Sequence, residues 1–461
     1  MSKFKRVLSL GASVLLSVGL LASCSSSDKP SGDSSTAEQT TTVTETSTTS
    51  VSVSETESDT MTTSNVESEI TKSQSSLTAT QSPVITKRTT TTTKVRTTTR
   101  TEPAFDYSKE PQNYSYTSSQ RTYPYWKENI MRNESMVFVK NGDTIKGSLM
   151  FQPYKIISVR DWTLEKEYKE NVDWVWDEKT RTIRLTPNSS IPYFTENQLA
   201  GNEGHNGDCG ATGKLGGALY CVGPYLYTKQ ISVSYIYNSE QYSVPHAAYQ
   251  GDLLPKTMAK LKAKEKVQIA VFGDSIMYGC DASSMYNRKP QLPNFATLVR
   301  LSLQSNFGST VTVKNPSVGG KTSDWGVEAA SQVTANGYKP DLVLISFGQN
   351  DSLLTPEKTK DNIVAIMNQI KKASPNTEFM VLSTINANEK AGFQHHQQEQ
   401  AKVLASLKKQ GVAYVDINSL HTFMLKKKDH YVDLSGNNIN HPNDFMIRAY
   451  VMDVMSALVK Y

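Results

Sequence analysis

The sequence predicts an all-β sandwich followed by an α/β domain built on a five-stranded, doubly wound parallel sheet. Three observations carry this. Between about Tyr107 and Tyr242, apolar residues recur with period two and turn residues interrupt them every few positions. From about Lys266, short β-branched runs alternate with helical stretches. Residues 25–106 have almost no aromatic side chains and belong to neither pattern.

At the start of the chain, Lys3, Lys5 and Arg6 precede a run from Val7 to Ala22 that is apolar apart from Ser and Gly. This is the plan of a secretory signal rather than of a full membrane span. The run closes in Leu21-Ala22-Ser23-Cys24, which resembles the bacterial lipobox, where the cysteine is acylated and becomes the new N-terminus. The resemblance implies a signal peptide over 1–24, lipidation at Cys24, and a bacterial surface protein that meets the membrane only through that anchor. A plain signal peptide with an incidental cysteine fits the same run. Removing the segment lowers the formal charge from +5 to +2, which leaves no basic footprint for nucleic acid.

From Ser25 to about residue 106, Ser and Thr dominate, and the segment cannot bury enough surface to offset the entropy of ordering. As a flexible coil, its roughly 80 residues span roughly 50 Å r.m.s.. Such a tether, rich in Ser and Thr, suits O-glycosylation.

The β-sandwich, or jelly roll, is expected over 107–247. Its strands read as Met136-Val137-Phe138-Val139, Thr180 to Leu185 and Ile231 to Tyr237, with turns at Asn141-Gly142-Asp143 and Pro187-Asn188. Trp126, Trp162, Trp174 and Trp176 suit either the sandwich core or a sugar-stacking surface. Trp174 and Trp176 share one strand face. Cys209 and Cys221 are close enough in sequence to pair in an exported protein, while Cys280 has no obvious mate. A zinc site made with His205 is the alternative, although the spacing matches no standard finger.

In the α/β domain, expected over 248–461, the strands are the apolar run from Val267 to Phe272 that empties into Gly273-Asp274-Ser275, then Val311–Val313, Asp341–Phe347, Glu378–Ser383 and Val412–Ile417. Ile363, Ile366, Met367 and Ile370 give the clearest helical stripe. His395 and His396 read as solvated residues opening a polar helix.

Four short blocks lie at or beyond the ends of these strands. They are Gly273-Asp274-Ser275 after the first, Asn315 to Ser323 after the second, Gly348-Gln349-Asn350-Asp351 after the third, and His441-Pro442 after the fifth. In open α/β sheets, ligands bind beyond the carboxyl ends of the strands. In this order the blocks resemble the SGNH hydrolases, or GDSL-type esterases, over residues 266–461. The resemblance implies a flavodoxin-like sheet, with Ser275 as nucleophile and His441 as general base. It also implies an oxyanion hole from the Ser275 and Gly320 N–H groups and the Asn350 amide, with Asp351 capping the following helix. Cofactor and metal have no part in the pattern. A Gly-x-Ser-x-Gly elbow is absent, since Met277 takes its last position.

One position departs from the family pattern. Three residues before the histidine, where an aspartate usually orients the ring, stands Asn438. Three explanations fit: a Ser275–His441 dyad whose Nδ1 proton goes to a backbone carbonyl, a carboxylate supplied by Asp433 or Asp444, or loss of catalysis. The layout resembles that of two-domain bacterial carbohydrate acetyl esterases, and this resemblance implies a secreted, lipid-anchored esterase acting on acetylated polysaccharide through an acyl-serine intermediate. The alternatives are a lipase or thioesterase, a cell-wall O-acetyl esterase using the same residues, or an inactive carbohydrate-binding protein.

Overall fold

The computed structural model of this 461-residue chain describes residues 118–204, 209 and 211–461. The signal run, Cys24, the Ser/Thr-rich segment, the first residues of the expected sandwich and His205 lie outside the described residues. Among the described residues, no helix is long and apolar enough to cross a membrane.

The first half is β-rich. In chain order its strands are β1 (Ile130–Val137), β2 (Val139–Asn141), β3 (Thr144–Ser148), β4 (Lys155–Asp161), β5 (Glu167–Tyr168), β6 (Trp174–Asp177), β7 (Thr182–Leu185) and β8 (Phe194–Thr195). The hairpin of β9 (Ala211–Leu215) and β10 (Ala218–Val222) and the long β11 (Gln230–Ile236) follow. One antiparallel sheet runs β1-β11-β4-β5, and a second runs β6-β7-β3-β2-β8 with only β2 and β8 parallel. The Asn-Gly-Asp signal makes the β2–β3 turn, with Gly142 at φ +58°, a conformation that costs glycine nothing. Helices here are short: α1 (Ser118–Thr122) and α2 (Glu196–Leu199).

Alternate residues of both sheets point into one core that includes Met136, Val159, Trp174, Ile183, Val233 and Tyr235. Trp126 and Trp174 are core residues and Trp176 packs against the same cluster. Trp162 is half-buried on the wall of a cavity of about 500 Å³, beside the Tyr227 ring.

The second half contains β12 (Val267–Gly273), β13 (Val311–Lys314), β14 (Leu342–Ser346), β15 (Glu378–Leu382) and β16 (Val412–Val415), all parallel, in the order β13-β12-β14-β15-β16. This is the 2-1-3-4-5 order of the flavodoxin-like sheet, with the topological switch at β12. Its helices are α3 (Pro255–Lys262), α4 (Ser275–Tyr278), α5 (Phe295–Phe307), α6 (Ser323–Ala329), α7 (Pro356–Ala373), α8 (Gln397–Leu404), α9 (Ile417–Leu425) and α10 (Asp444–Leu458). Period two sorts the strand residues to the two faces. Ile269, Val271, Leu344 and Leu382 meet α5, α9 and α10, whereas Ala270, Phe272, Ile345 and Val381 meet α6, α7 and α8.

The first of these clusters continues without a break into the β-rich half. A fully buried ion pair crosses the same boundary: Lys428 Nζ lies 2.6 Å from Glu134 Oε1. The Tyr235 hydroxyl at 2.5 Å and the Met150 N–H at 2.9 Å complete the Glu134 carboxylate, as a charge removed from water requires.

Candidate active site

Strand β12 ends at Gly273, whose Cβ, if present, would fall 2.1 Å from the Ser346 carbonyl of β14. Glycine therefore permits the strand to pack there and still turn into α4. Asp274 caps that helix, its Oδ1 accepting the Ile276 N–H at 3.0 Å, and Ser275 is the first helical residue. Its N–H falls in the first turn, where a helix offers no internal acceptor. Burial pushes the Asp274 carboxyl up to about 7.

The second block is tied to the first. The Val318 N–H donates to Gly273 O at 3.2 Å and the Asn315 amide to Met277 O at 2.9 Å. Gly320 takes φ +70° in the turn that follows, which glycine adopts without strain. The third block is tied to the second, because Asn350 Nδ2 donates to Lys321 O at 3.2 Å. An amide nitrogen carries two protons, so one remains for a ligand. Asp351 was expected to cap the helix after it, but Thr355 caps α7. Asp351 instead accepts the Ser323 N–H of α6 and the Thr359 hydroxyl of α7, each at 2.8 Å, and so bolts two helices together.

His441 reaches this group from a loop that bonds mainly to itself. Asn437 Oδ1 accepts the N–H groups of Ile439, Asn440 and His441 at 2.9 to 3.0 Å, and Ser435 Oγ donates to His441 O at 2.8 Å. His441 is 5% exposed and Ser275 1% exposed. His441 Nε2 lies 2.9 Å from Ser275 Oγ.

The ring's other nitrogen corrects the expectation of a bare dyad. Nδ1 lies 2.6 Å from Oδ2 of Asp281, whose carboxylate is fully buried. None of the three explanations for Asn438 included this residue. Asp281 follows α4 and its Gly279 C-cap in a left-handed turn at φ +63°, its Oδ1 accepts the Tyr286 hydroxyl proton, and its carbonyl accepts that of Tyr227. Gly436 makes room, since a Cβ there would sit 2.6 Å from the Asp281 Cβ. The two carboxylates considered from sequence are used elsewhere. Asp433 holds the Val137 and His430 N–H groups, and Asp444 holds the Ser283 N–H at 2.9 Å. Burial raises both carboxyls, that of Asp444 to about 6.

Cys209 and Cys221 are joined in a disulfide, with Cα atoms 5.5 Å apart, which leaves neither sulfur as a zinc thiolate. Among the described residues, no cluster of metal-ligating side chains occurs. His396 is exposed as expected, but His395 is half-buried against Phe393, and burial lowers its imidazole pKa.

Residues 271–446 match the family model of the GDSL-like lipase/acylhydrolases. No curated protein matches the chain. Among solved structures, a two-domain esterase (CEX) active on acetylated mannans, co-crystallised with mannopentaose, is 22% identical over 47% of this chain with a TM-score of 0.37. The alignment spans 56% of that esterase's own length. A catalytic mutant of Axe2, an acetylxylan esterase from Geobacillus stearothermophilus, is 16% identical over 42% of this chain and 95% of its own, at a TM-score of 0.33. The lipase Lip_vut3 from a goat rumen metagenome is 14% identical over 42% and 98%, at 0.32. The four blocks that surround Ser275 and His441 all fall within or against the matched segment, and residues 271–446 form a domain of the GDSL-like lipase/acylhydrolase family.

Proposed function

We propose that this chain is a serine esterase that removes short acyl groups, acetyl foremost, from carbohydrate hydroxyls through an acyl-enzyme on Ser275. The observation that carries the reading is the unbroken line from Ser275 Oγ through the His441 ring to Asp281, with gaps of 2.9 and 2.6 Å. A carboxylate at Nδ1 keeps the proton on that nitrogen and leaves the Nε2 lone pair facing the hydroxyl.

The steps follow from that tautomer. Ser275 Oγ attacks the ester carbonyl while Nε2 takes its proton. Negative charge gathers on the carbonyl oxygen, where the Ser275 and Gly320 N–H groups and the Asn350 amide act as fixed donors. The imidazolium, stabilised by Asp281, returns the proton to the departing sugar oxygen as the C–O bond breaks. Water then repeats the attack on the acyl-serine with His441 again as base, which frees the acid and restores Ser275.

Two observations bear on the acyl group. Ser275 and His441 are nearly buried, which favours a short acyl chain. Against this, Val318 (36% exposed) and Leu353 (69%) place apolar surface on the loops that carry Gly320 and Asn350, and this favours the lipase or thioesterase reading. Comparing p-nitrophenyl acetate with a long-chain ester decides between them. Equal turnover of acetate ester by wild type and Ser275→Ala sinks the esterase reading altogether. Acetate release from acetylated xylan, glucomannan, pectin and peptidoglycan then identifies the polymer. Export through residues 1–24 and tethering at Cys24 belong to the same proposal, because such polymers lie outside the cell. Loss of membrane association in Cys24→Ala tests the tether.

A further inference from the structure

The β9–β10 hairpin belongs to the β-rich half by sequence, yet its partners are the loops that support His441. Asn438 Nδ2 donates to Leu219 O at 2.8 Å, the Cys221 N–H to Asn437 O at 3.4 Å, and the Gly217 N–H to Lys390 O at 2.6 Å. A Cβ on Gly216, which has φ +56°, would fall 2.5 Å from Lys390 O, so glycine is required for this approach. Ala218, Ala391 and Ile439 close a small apolar cluster beneath the contact. The Cys209–Cys221 disulfide closes the base of the hairpin.

Asn438 is the junction. It takes φ +62°, a conformation that asparagine tolerates better than most residues. Its N–H donates to Ser435 Oγ at 2.9 Å, its carbonyl accepts the Asn388 amide at 2.8 Å, and its own amide holds the hairpin. Asn437, one residue earlier, gathers the three N–H groups that shape the turn into His441. Only a donor can satisfy Leu219 O. An ionised carboxylate at this position would set acceptor against acceptor in a buried contact, at the cost of leaving the carbonyl unpaired.

We propose that Asn438 is a positioning residue: together with the disulfide-closed hairpin, it holds the 437–441 loop so that His441 Nε2 stays in line with Ser275 Oγ. The assignment rests on the esterase reading above. Position 438 thus serves as a clamp here, while the acid lies at Asp281.

The test measures kcat, KM and the pH–rate profile of Asn438→Asp, Asn438→Ala, Cys209→Ser/Cys221→Ser and the combined Asn438→Ala/Cys209→Ser/Cys221→Ser, all on p-nitrophenyl acetate well below the melting temperature. Asn438→Asp is expected to lower kcat about tenfold or more with KM little changed. The ratio of this variant to wild type should rise as pH falls, because the introduced carboxyl regains a donor only when protonated. The cysteine pair should lose a similar factor, and the combined variant should lose no more than the larger single loss, since both act through one contact. Should the cysteine variant fail to fold, reduction of folded wild type by dithiothreitol reads the same loss. Wild-type kcat in Asn438→Asp, or losses that multiply in the combined variant, overturns the proposal. Residual activity in Ser275→Ala equal to wild type instead overturns the underlying esterase reading, so the two failures are distinguishable.

Discussion

Replacing Asp281 by asparagine alters one atom pair in the site and has a calculable consequence. In the native site Oδ1 accepts the Tyr286 hydroxyl proton and Oδ2 faces His441 Nδ1 at 2.6 Å. An amide that keeps its oxygen against Tyr286 turns Nδ2 toward the ring. Nδ2 is a donor, so Nδ1 must then be the bare nitrogen and the proton moves to Nε2. His441 in that tautomer cannot take the Ser275 proton. The same exchange in a serine protease triad lowers kcat about 10,000-fold, or about 5.5 kcal/mol of barrier. A loss of about 1,000 to 10,000-fold in kcat on p-nitrophenyl acetate is expected, with KM and the circular dichroism spectrum unchanged. A loss below tenfold in folded protein would show that something other than Asp281 orients the imidazole, and would favour the Ser275–His441 dyad.

Further perturbations probe the supports of the site. Gly436→Ala brings a Cβ to 2.6 Å from that of Asp281, and a displacement of the acid by a fraction of an ångström should lower kcat by up to about 100-fold while the protein stays folded. Unaltered kcat would refute the claim that Gly436 makes room for the acid. Asp433→Ala and Asp444→Ala should lower the melting temperature through the lost Val137 and Ser283 contacts yet leave kcat within about tenfold, because neither holds His441. Lys428→Met leaves Glu134 buried without a counter-ion and should cost about 3 to 5 kcal/mol in urea unfolding, much of it recovered by adding Glu134→Gln. Asp453 is buried in α10, its Oδ1 accepting the Ala247 N–H at 2.5 Å, and burial pushes its carboxyl up to about 8. Its folded pKa lies above the unfolded 3.8, so its contribution is most favourable below pH 4 and is lost as pH rises toward 8. Asp453→Asn should therefore match wild type at pH 4 and exceed it at pH 9 by on the order of 5 kcal/mol. Parallel stability curves across that range would contradict this.

What could be read from the sequence, and what could not, divides along a physical line. Strand periods are local, and all five parallel strands end within two residues of the expected positions because each apolar run stops at or near a glycine, serine, lysine or aspartate. The blocks carrying Ser275, Gly320 and Asn350 were legible because a doubly wound sheet delivers successive strand ends to one edge, whatever the helices between them do. The Cys209–Cys221 pairing was likewise available from spacing, given the export that the signal-like run implies. Asp281 was not legible. It has no periodicity and no motif, and in the chain it is simply the second residue after a helix-ending glycine. Its partner lies 160 residues away, and only the folded positions of two loops join them. Asp351 misled for the opposite reason: Asn350-Asp351 before a helix has the look of a cap, but Thr355 stands one residue before the Pro356 that opens α7 and takes that role.

The site also explains why an acid can move in sequence without the chemistry changing. An imidazole needs a carboxylate near the plane of its ring at Nδ1, and any loop that reaches that point can provide it. The loop after α4 begins beyond β12, the strand that also delivers Ser275, so Asp281 lies only six residues after Ser275 in the chain. Two conditions make that turn suitable. Its left-handed φ is accessible to aspartate, and the facing loop presents Gly436, where any side chain would collide. Once the acid comes from that side, the residue three before His441 is released from its charge. Asparagine can then use its amide to hold Leu219 O, which a carboxylate could not do. Asp281, Gly436 and Asn438 thus belong to one arrangement around His441. A chain of this family with asparagine three residues before its histidine but no acid six residues after its nucleophile serine should have lost activity, or should orient its histidine through a backbone carbonyl.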